Sequence, residues 1–132
     1  MADRIFGIGA DIVRVARMEK SLARYGDKFA RRILTGPEME DFSHAERPAH
    51  FLARRFAAKE AAVKALGTGF GHGITPRQIG VGHEDSGKPV LRYYGKALAF
   101  MKKMGVSGGH ISIADEDDHA VAFVTLLARR GP

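Results

Sequence analysis

The chain contains no cysteine. Disulfides, thiolate metal sites and a cysteine nucleophile are therefore excluded. No stretch approaches the ~18 consecutive apolar residues of a membrane span. The N-terminus also lacks the long apolar run of a secretory signal, so a cytoplasmic protein is expected. Aromatic residues are only 8% of the chain. Phe6, Phe51, Phe56 and Phe123 fall at core-like positions in the pattern, and no RNP-like aromatic strand, zinc finger or helix-turn-helix emerges. The six histidines show no paired ligand spacing, which argues against a histidine zinc site. No Ser-His-Asp arrangement can be assigned from spacing. Internal repeats, linkers and low-complexity segments are absent.

What is present fits one domain over residues 1–132, with 45% hydrophobic and 27% charged residues,. A chain of this size buries roughly 65–70% of its unfolded surface and can fold without staples. Its net charge is +6, a field that attracts polyanions. Nucleic acid, an acidic protein and a phosphorylated small molecule are all compatible with that charge.

Residues 5–9 alternate bulky and small side chains and read as a short strand pressed against other backbone. A helix is expected over 13–25, with Ile12, Val15, Ala16, Leu22 and Ala23 on its apolar side. Arg14, Arg17, Met18 and Arg24 recur on the other side. That second face suits docking of an acidic helix, with Met18 as a soft apolar contact; a merely solvated face is the alternative. A short helix over 28–34 follows, then a break at Thr35-Gly36-Pro37-Glu38. Pro48 opens the longest helix, 48–66. Residues 79–83 and 89–93 form a hairpin around the turn 85–88. A helix over 95–104 precedes two strands, 110–114 and 119–127. Helices and antiparallel hairpins mix, so the fold class is α+β.

Two segments carry chemistry. In Gly7-Ile8-Gly9-Ala10-Asp11-Ile12 a carboxylate follows a glycine-rich strand. Asp11 can bind a hard cation such as Mg²⁺ or cap the next helix. In Phe56-Ala57-Ala58-Lys59-Glu60-Ala61-Ala62-Val63-Lys64, Glu60 and Lys64 stand one turn apart in the order that favours a helical ion pair. Their apolar surroundings imply partial burial, and a buried carboxylate needs a cation or donors to stay charged. The loop Gly67-Thr68-Gly69 and beyond stops the helix and offers free backbone N–H groups to phosphate oxygens.

These motifs resemble holo-acyl-carrier-protein synthase, the short bacterial type of 4′-phosphopantetheinyl transferase. The resemblance extends through Arg55-Phe56-Ala57-Ala58-Lys59-Glu60-Ala61, Lys64-Ala65, Gly67-Thr68-Gly69, Gly87-Lys88-Pro89 and His110-Ile111-Ser112-Ile113, in the family's order over nearly the whole chain. It implies a 4′-phosphopantetheinyl transferase-like fold, a long central helix on a small, mainly antiparallel sheet. It implies Mg²⁺-dependent transfer of phosphopantetheine from coenzyme A to a serine of apo acyl carrier protein, in support of fatty acid biosynthesis. Asp11 and Glu60 match the metal ligands, and Glu60 is also placed to deprotonate the serine, directly or through metal-bound water. Lys64 matches the lysine near the diphosphate. Arg55, Gly67, Thr68, Gly69, Lys88, Pro89, His110 and Ser112 fall where the family holds coenzyme A. Arg17 and Arg24 fall where it grips its acidic carrier protein. A homotrimer with sites between subunits is a further expectation. One position departs: some members carry a histidine where this chain has Asp115. The competing class is a basic module that binds nucleic acid or nucleotides without catalysis.

Overall fold

The computed structural model describes residues 3–129. In chain order its elements are β1 (Arg4–Arg14), α1 (Val15–Tyr25), α2 (Asp27–Ile33), α3 (Gly36–Ser43) and α4 (Pro48–Leu66). A 3₁₀ turn (Pro76–Gln78), β2 (Ile79–His83), β3 (Pro89–Tyr93), α5 (Gly95–Met104), β4 (Val106–Asp115) and β5 (His119–Ala128) follow. The class is α+β. β1, β5 and β4 make an antiparallel sheet in that order, while β2 and β3 form a separate antiparallel hairpin. No helix among the described residues is long and apolar enough to cross a membrane.

The central helix α4 lies across β1 and β5. Ala57, Ala58, Ala61, Ala62 and Ala65 are buried there, as are Ala120, Ala122 and Ala128 of β5. Small side chains on both partners let helix and sheet approach closely, and tight contact of this kind maximises dispersion. Pro48 starts α4 where its missing N–H costs nothing. Gly67, at φ 83°, ends it in the left-handed conformation,.

Several expectations change. β1 does not stop at Gly9; pairing with β5 carries it to Arg14, opposite His119. Asp11 therefore sits inside a strand and caps nothing, and Arg14 occupies the N-cap of α1 without a side-chain bond. The phase of α1 also differs: Val15 and Met18 are buried, whereas Ala16 and Ala23 are exposed. Met18, at 1% exposure, is core and unavailable to a docking partner, because i, i+3 spacing from Val15 turns it inward. Phe123 is likewise no core residue, being 47% exposed.

That exposure belongs to a pattern. The face of the sheet turned away from α4 carries Ile5, Ile8, Ala10 and Ile12 of β1. Opposite them stand Leu127, Thr125, Phe123 and Val121 of β5. Ile5, Ile8, Ile12, Val121 and Phe123 are all exposed, which leaves a contiguous apolar surface with no cover in a single chain. His110, Ser112 and Ala114 of β4 stand opposite Thr125, Phe123 and Val121, on the same face.

Candidate active site

Asp11, Glu60 and Lys64 come together where β1 crosses α4. The residues of β1 that face the helix are Gly7, Gly9, Asp11 and Val13, which alternate along the strand. A Cβ on Gly9 would overlap the Ala61 carbonyl oxygen, and one on Gly7 would overlap that of Ala65. Glycine lets strand backbone touch helix backbone. Asp11, the next side chain on that face, is thereby brought to Lys64 and into the field of Glu60.

Lys64 Nζ donates to Asp11 Oδ1 at 2.8 Å and to the Ala10 carbonyl at 3.1 Å. The i, i+4 spacing suggests a Glu60–Lys64 pair, but the lysine reaches across to the strand instead. Its hydrogen bond to Asp11 raises the Lys64 pKa and keeps the ammonium charged. The half-buried Glu60 has neither a hydrogen-bond donor nor an ion-pair partner among the described residues. Burial raises its pKa above the ordinary carboxylate value, and repulsion from Asp11 adds to this. Lys64 and Arg17 pull the other way.

This donor set fits Mg²⁺. Two carboxylates supply oxygen only, and Glu60 has no hydrogen-bond or ion-pair partner among the described residues. No group of three or more His, Cys, Asp or Glu side chains converges among the described residues. Mg²⁺ commonly takes one or two protein carboxylates and completes its shell with water and substrate phosphate.

Arg55 lies elsewhere on α4. It is 6% exposed and stacks its guanidinium 4.4 Å above the Phe51 ring. Among the described residues its Nε has no hydrogen-bond partner. Burial lowers its pKa, partly offset by the charge of Glu38. Burial, with Arg55 adding to it, also lowers the pKa of nearby His83. A buried, incompletely paired guanidinium has donor capacity left for an anionic group.

A cavity of about 460 Å³ opens between the hairpin and the main sheet. Lys88, Pro89, Tyr93, Met101, His110 and Leu126 contribute to its walls. Lys88, Pro89 and His110, distant in sequence, thus line one pocket. Ser112 stays outside it, on the apolar sheet face. The glycine loop needs a correction: Gly67, Thr68 and Gly69 donate their N–H groups to the Val63 carbonyl at 3.1, 3.1 and 3.2 Å. Those donors close the end of α4 and are not free for phosphate.

Arg14, Arg17 and Arg24 are exposed. Arg17 lies 5.3 Å over the Phe56 ring, one turn from Glu60. Asp115 accepts from Arg54 Nη1 at 3.3 Å, so this departing position ties the end of β4 to α4. A pair the sequence reading missed is Glu38–Lys59, buried at 2% and 0% exposure with Nζ 2.6 Å from Oε1. The Thr35-x-x-Glu38 spacing is a capping-box signature, and that box forms. It could have drawn attention to Glu38.

The family model of the 4′-phosphopantetheinyl transferase superfamily matches residues 7–124. A holo-[acyl-carrier-protein] synthase of Nitrosococcus oceani is 59% identical over 126 residues, which span 96% of this chain and 82% of that protein. The crystal structure of holo-[acyl-carrier-protein] synthase from Neisseria meningitidis is similar at TM-score 0.87 and 44% identity, over 93% of this chain and 98% of that one. A holo-(acyl-carrier-protein) synthase from Bacillus anthracis, solved in complex with CoA (3′,5′-ADP), matches at TM-score 0.79 and 39% identity. The match covers 96% of this chain and 99% of that one.

Proposed function

This chain belongs to the 4′-phosphopantetheinyl transferase superfamily and, within it, to the holo-[acyl-carrier-protein] synthase enzymes; from that membership we propose that it moves the phosphopantetheine arm of coenzyme A to a serine of apo acyl carrier protein. The reaction needs Mg²⁺, releases adenosine 3′,5′-bisphosphate and serves fatty acid biosynthesis in the cytoplasm. The observation that carries this reading is the meeting of Asp11, Glu60 and Lys64 across the glycine contact of β1 with α4.

Asp11 and Glu60 would hold Mg²⁺, which when bound supplies charge neutralisation at the diphosphate. The serine oxygen attacks the β-phosphorus while the bond to the departing bisphosphate breaks. Glu60 takes the serine proton on its carboxylate, a general-base role that hydrogen-bond reach to the substrate hydroxyl would allow. Lys64, held by Asp11, offsets negative charge on the leaving group. Arg55 receives an anionic group of coenzyme A, and the cavity beside Lys88, Pro89 and His110 receives another part of it. Arg14, Arg17 and Arg24 face the acidic carrier.

The working enzyme is a homotrimer. The apolar face around Ile8, Ile12, Val121 and Phe123 supports an assembly that buries it. His110 and Ser112 share that face, which supports sites completed between subunits.

Intact-mass measurement of an apo acyl carrier protein incubated with the protein, coenzyme A and Mg²⁺ tests the reading. A gain of one phosphopantetheine that EDTA abolishes is expected. No gain with several apo carriers and a folded protein would leave a coenzyme A or nucleotide binder as the better description.

A further inference from the structure

Lys59 Nζ donates to Glu38 Oε1 at 2.6 Å, to the Ile33 carbonyl at 2.8 Å and to the Pro76 carbonyl at 3.0 Å. Those acceptors use all three ammonium protons. Glu38 accepts from Thr35 N at 2.8 Å through Oε1 and from Val81 N at 2.8 Å through Oε2. One buried pair thus joins α4 to the end of α2, the start of α3, the 3₁₀ turn and β2.

Stability alone is a poor reason for such a pair. Taking two charges out of water is costly, and well-packed apolar replacements are often neutral or better. A fully satisfied polar network instead favours one geometry over its alternatives. The site of attachment is informative. Among the described residues β2 has no strand neighbour except β3, so the Glu38 carboxylate occupies the place of a second strand at Val81. The hairpin held there carries Lys88 and Pro89 at its far end, in the cavity wall. The helix holding Lys59 carries Arg55 one turn earlier and Glu60 next in sequence.

We infer that Lys59 and Glu38 are positioning residues for coenzyme A, fixing the Lys88–Pro89 hairpin against the helix that carries Arg55 and Glu60. This rests on the coenzyme A reading above. Neither residue reaches substrate, since both are buried.

The test replaces the pair together, Lys59→Met with Glu38→Gln, so that no charge is left unpaired. The KM for coenzyme A should rise roughly ten-fold or more, the signature of lost uniform binding of that substrate. The KM for carrier protein should stay within about two-fold, because only one substrate's site has moved. Amide exchange in residues 79–93 of the free protein should accelerate, with that of β4 and β5 unchanged. If the double variant does not fold, Glu38→Asp keeps both charges and withdraws the carboxylate by one methylene; the same split and the same local exchange are expected. A folded variant with unchanged coenzyme A KM and unchanged hairpin exchange would overturn the inference, as would equal losses for both substrates. A parent protein that transfers nothing would instead sink the coenzyme A reading.

Discussion

Substitution Gly9→Ala isolates the contact on which the site depends. The added methyl would meet the Ala61 carbonyl oxygen and the Ala65 nitrogen. Both belong to the backbone of α4, so neither can rotate away as a side chain would. Overpacking typically costs about 1–3 kcal/mol, and a rigid obstacle favours the upper end. A chain of 132 residues has an unfolding entropy near 0.28 kcal/mol/K. A cost of about 3 kcal/mol therefore lowers Tm by about 10 °C. Relief comes by moving β1 away from α4, which carries Asp11 away from Glu60 and Lys64. A displacement of about an ångström at a reacting site can cost ~10²-fold in rate. Calorimetry and transfer kinetics on the same samples measure both effects. Gly36→Ala is the control: its Cβ meets nothing within 4 Å and its φ is unrestricted, so Tm and activity should hold. A Gly9→Ala protein with wild-type Tm and wild-type turnover would refute the close-contact account of the site.

Glu60→Gln should lower turnover by about 10²-fold or more. In the metal-free protein the same change should raise Tm at neutral pH. A carboxyl whose folded pKa is raised contributes stability only while protonated, and that contribution is lost as pH rises through the raised value. Below about pH 4.5, the ordinary value for this group, the gain should vanish; an equal gain at both pH values would count against burial and Asp11 as the causes. Mg²⁺ should raise the Tm of the wild-type protein, by about 1.4 kcal/mol of stability at ten times its Kd, and much less that of Asp11→Asn. Equal shifts in the two would place the ion elsewhere. If the proposed trimer forms through this face, Phe123→Glu paired with Ile12→Glu should leave monomers in light scattering, since charges on the apolar face oppose its burial; an unchanged mass would assign the interface to another surface. Arg17→Glu should raise the KM for carrier protein and leave that for coenzyme A near normal. Equal effects on both would argue against a docking face on α1.

Much of the fold is legible in local pattern. Pro48 and Gly67 bracket α4 with the residues that helix ends prefer, and the hairpin turn at Asp85-Ser86-Gly87-Lys88 falls where its chemistry requires. β1 was harder to bound, because its last residues are extended only through pairing with β5. The inward turn of Met18 depends on which side of α1 meets α4. Nothing in the sequence around Phe123 distinguishes a core position from the outer sheet face, since strand alternation leaves the buried set undetermined until the sheet has a partner.

Which groups are available can be read locally along the chain: two carboxylates, a lysine one turn from the second, and glycines spaced to admit another backbone. So can the helix that presents Glu60 and Lys64 on neighbouring turns, because i, i+4 geometry is local. It took long-range packing to pair Lys64 with Asp11 rather than with Glu60, leaving Glu60 without a partner among the described residues. That choice follows from backbone contact between residues more than fifty positions apart. Only the tertiary structure committed the N–H groups of Gly67, Thr68 and Gly69 to Val63, and only it joined Glu38 to Lys59. A buried polar group takes its partner from whatever the packed neighbours offer, and those neighbours are set by the whole fold.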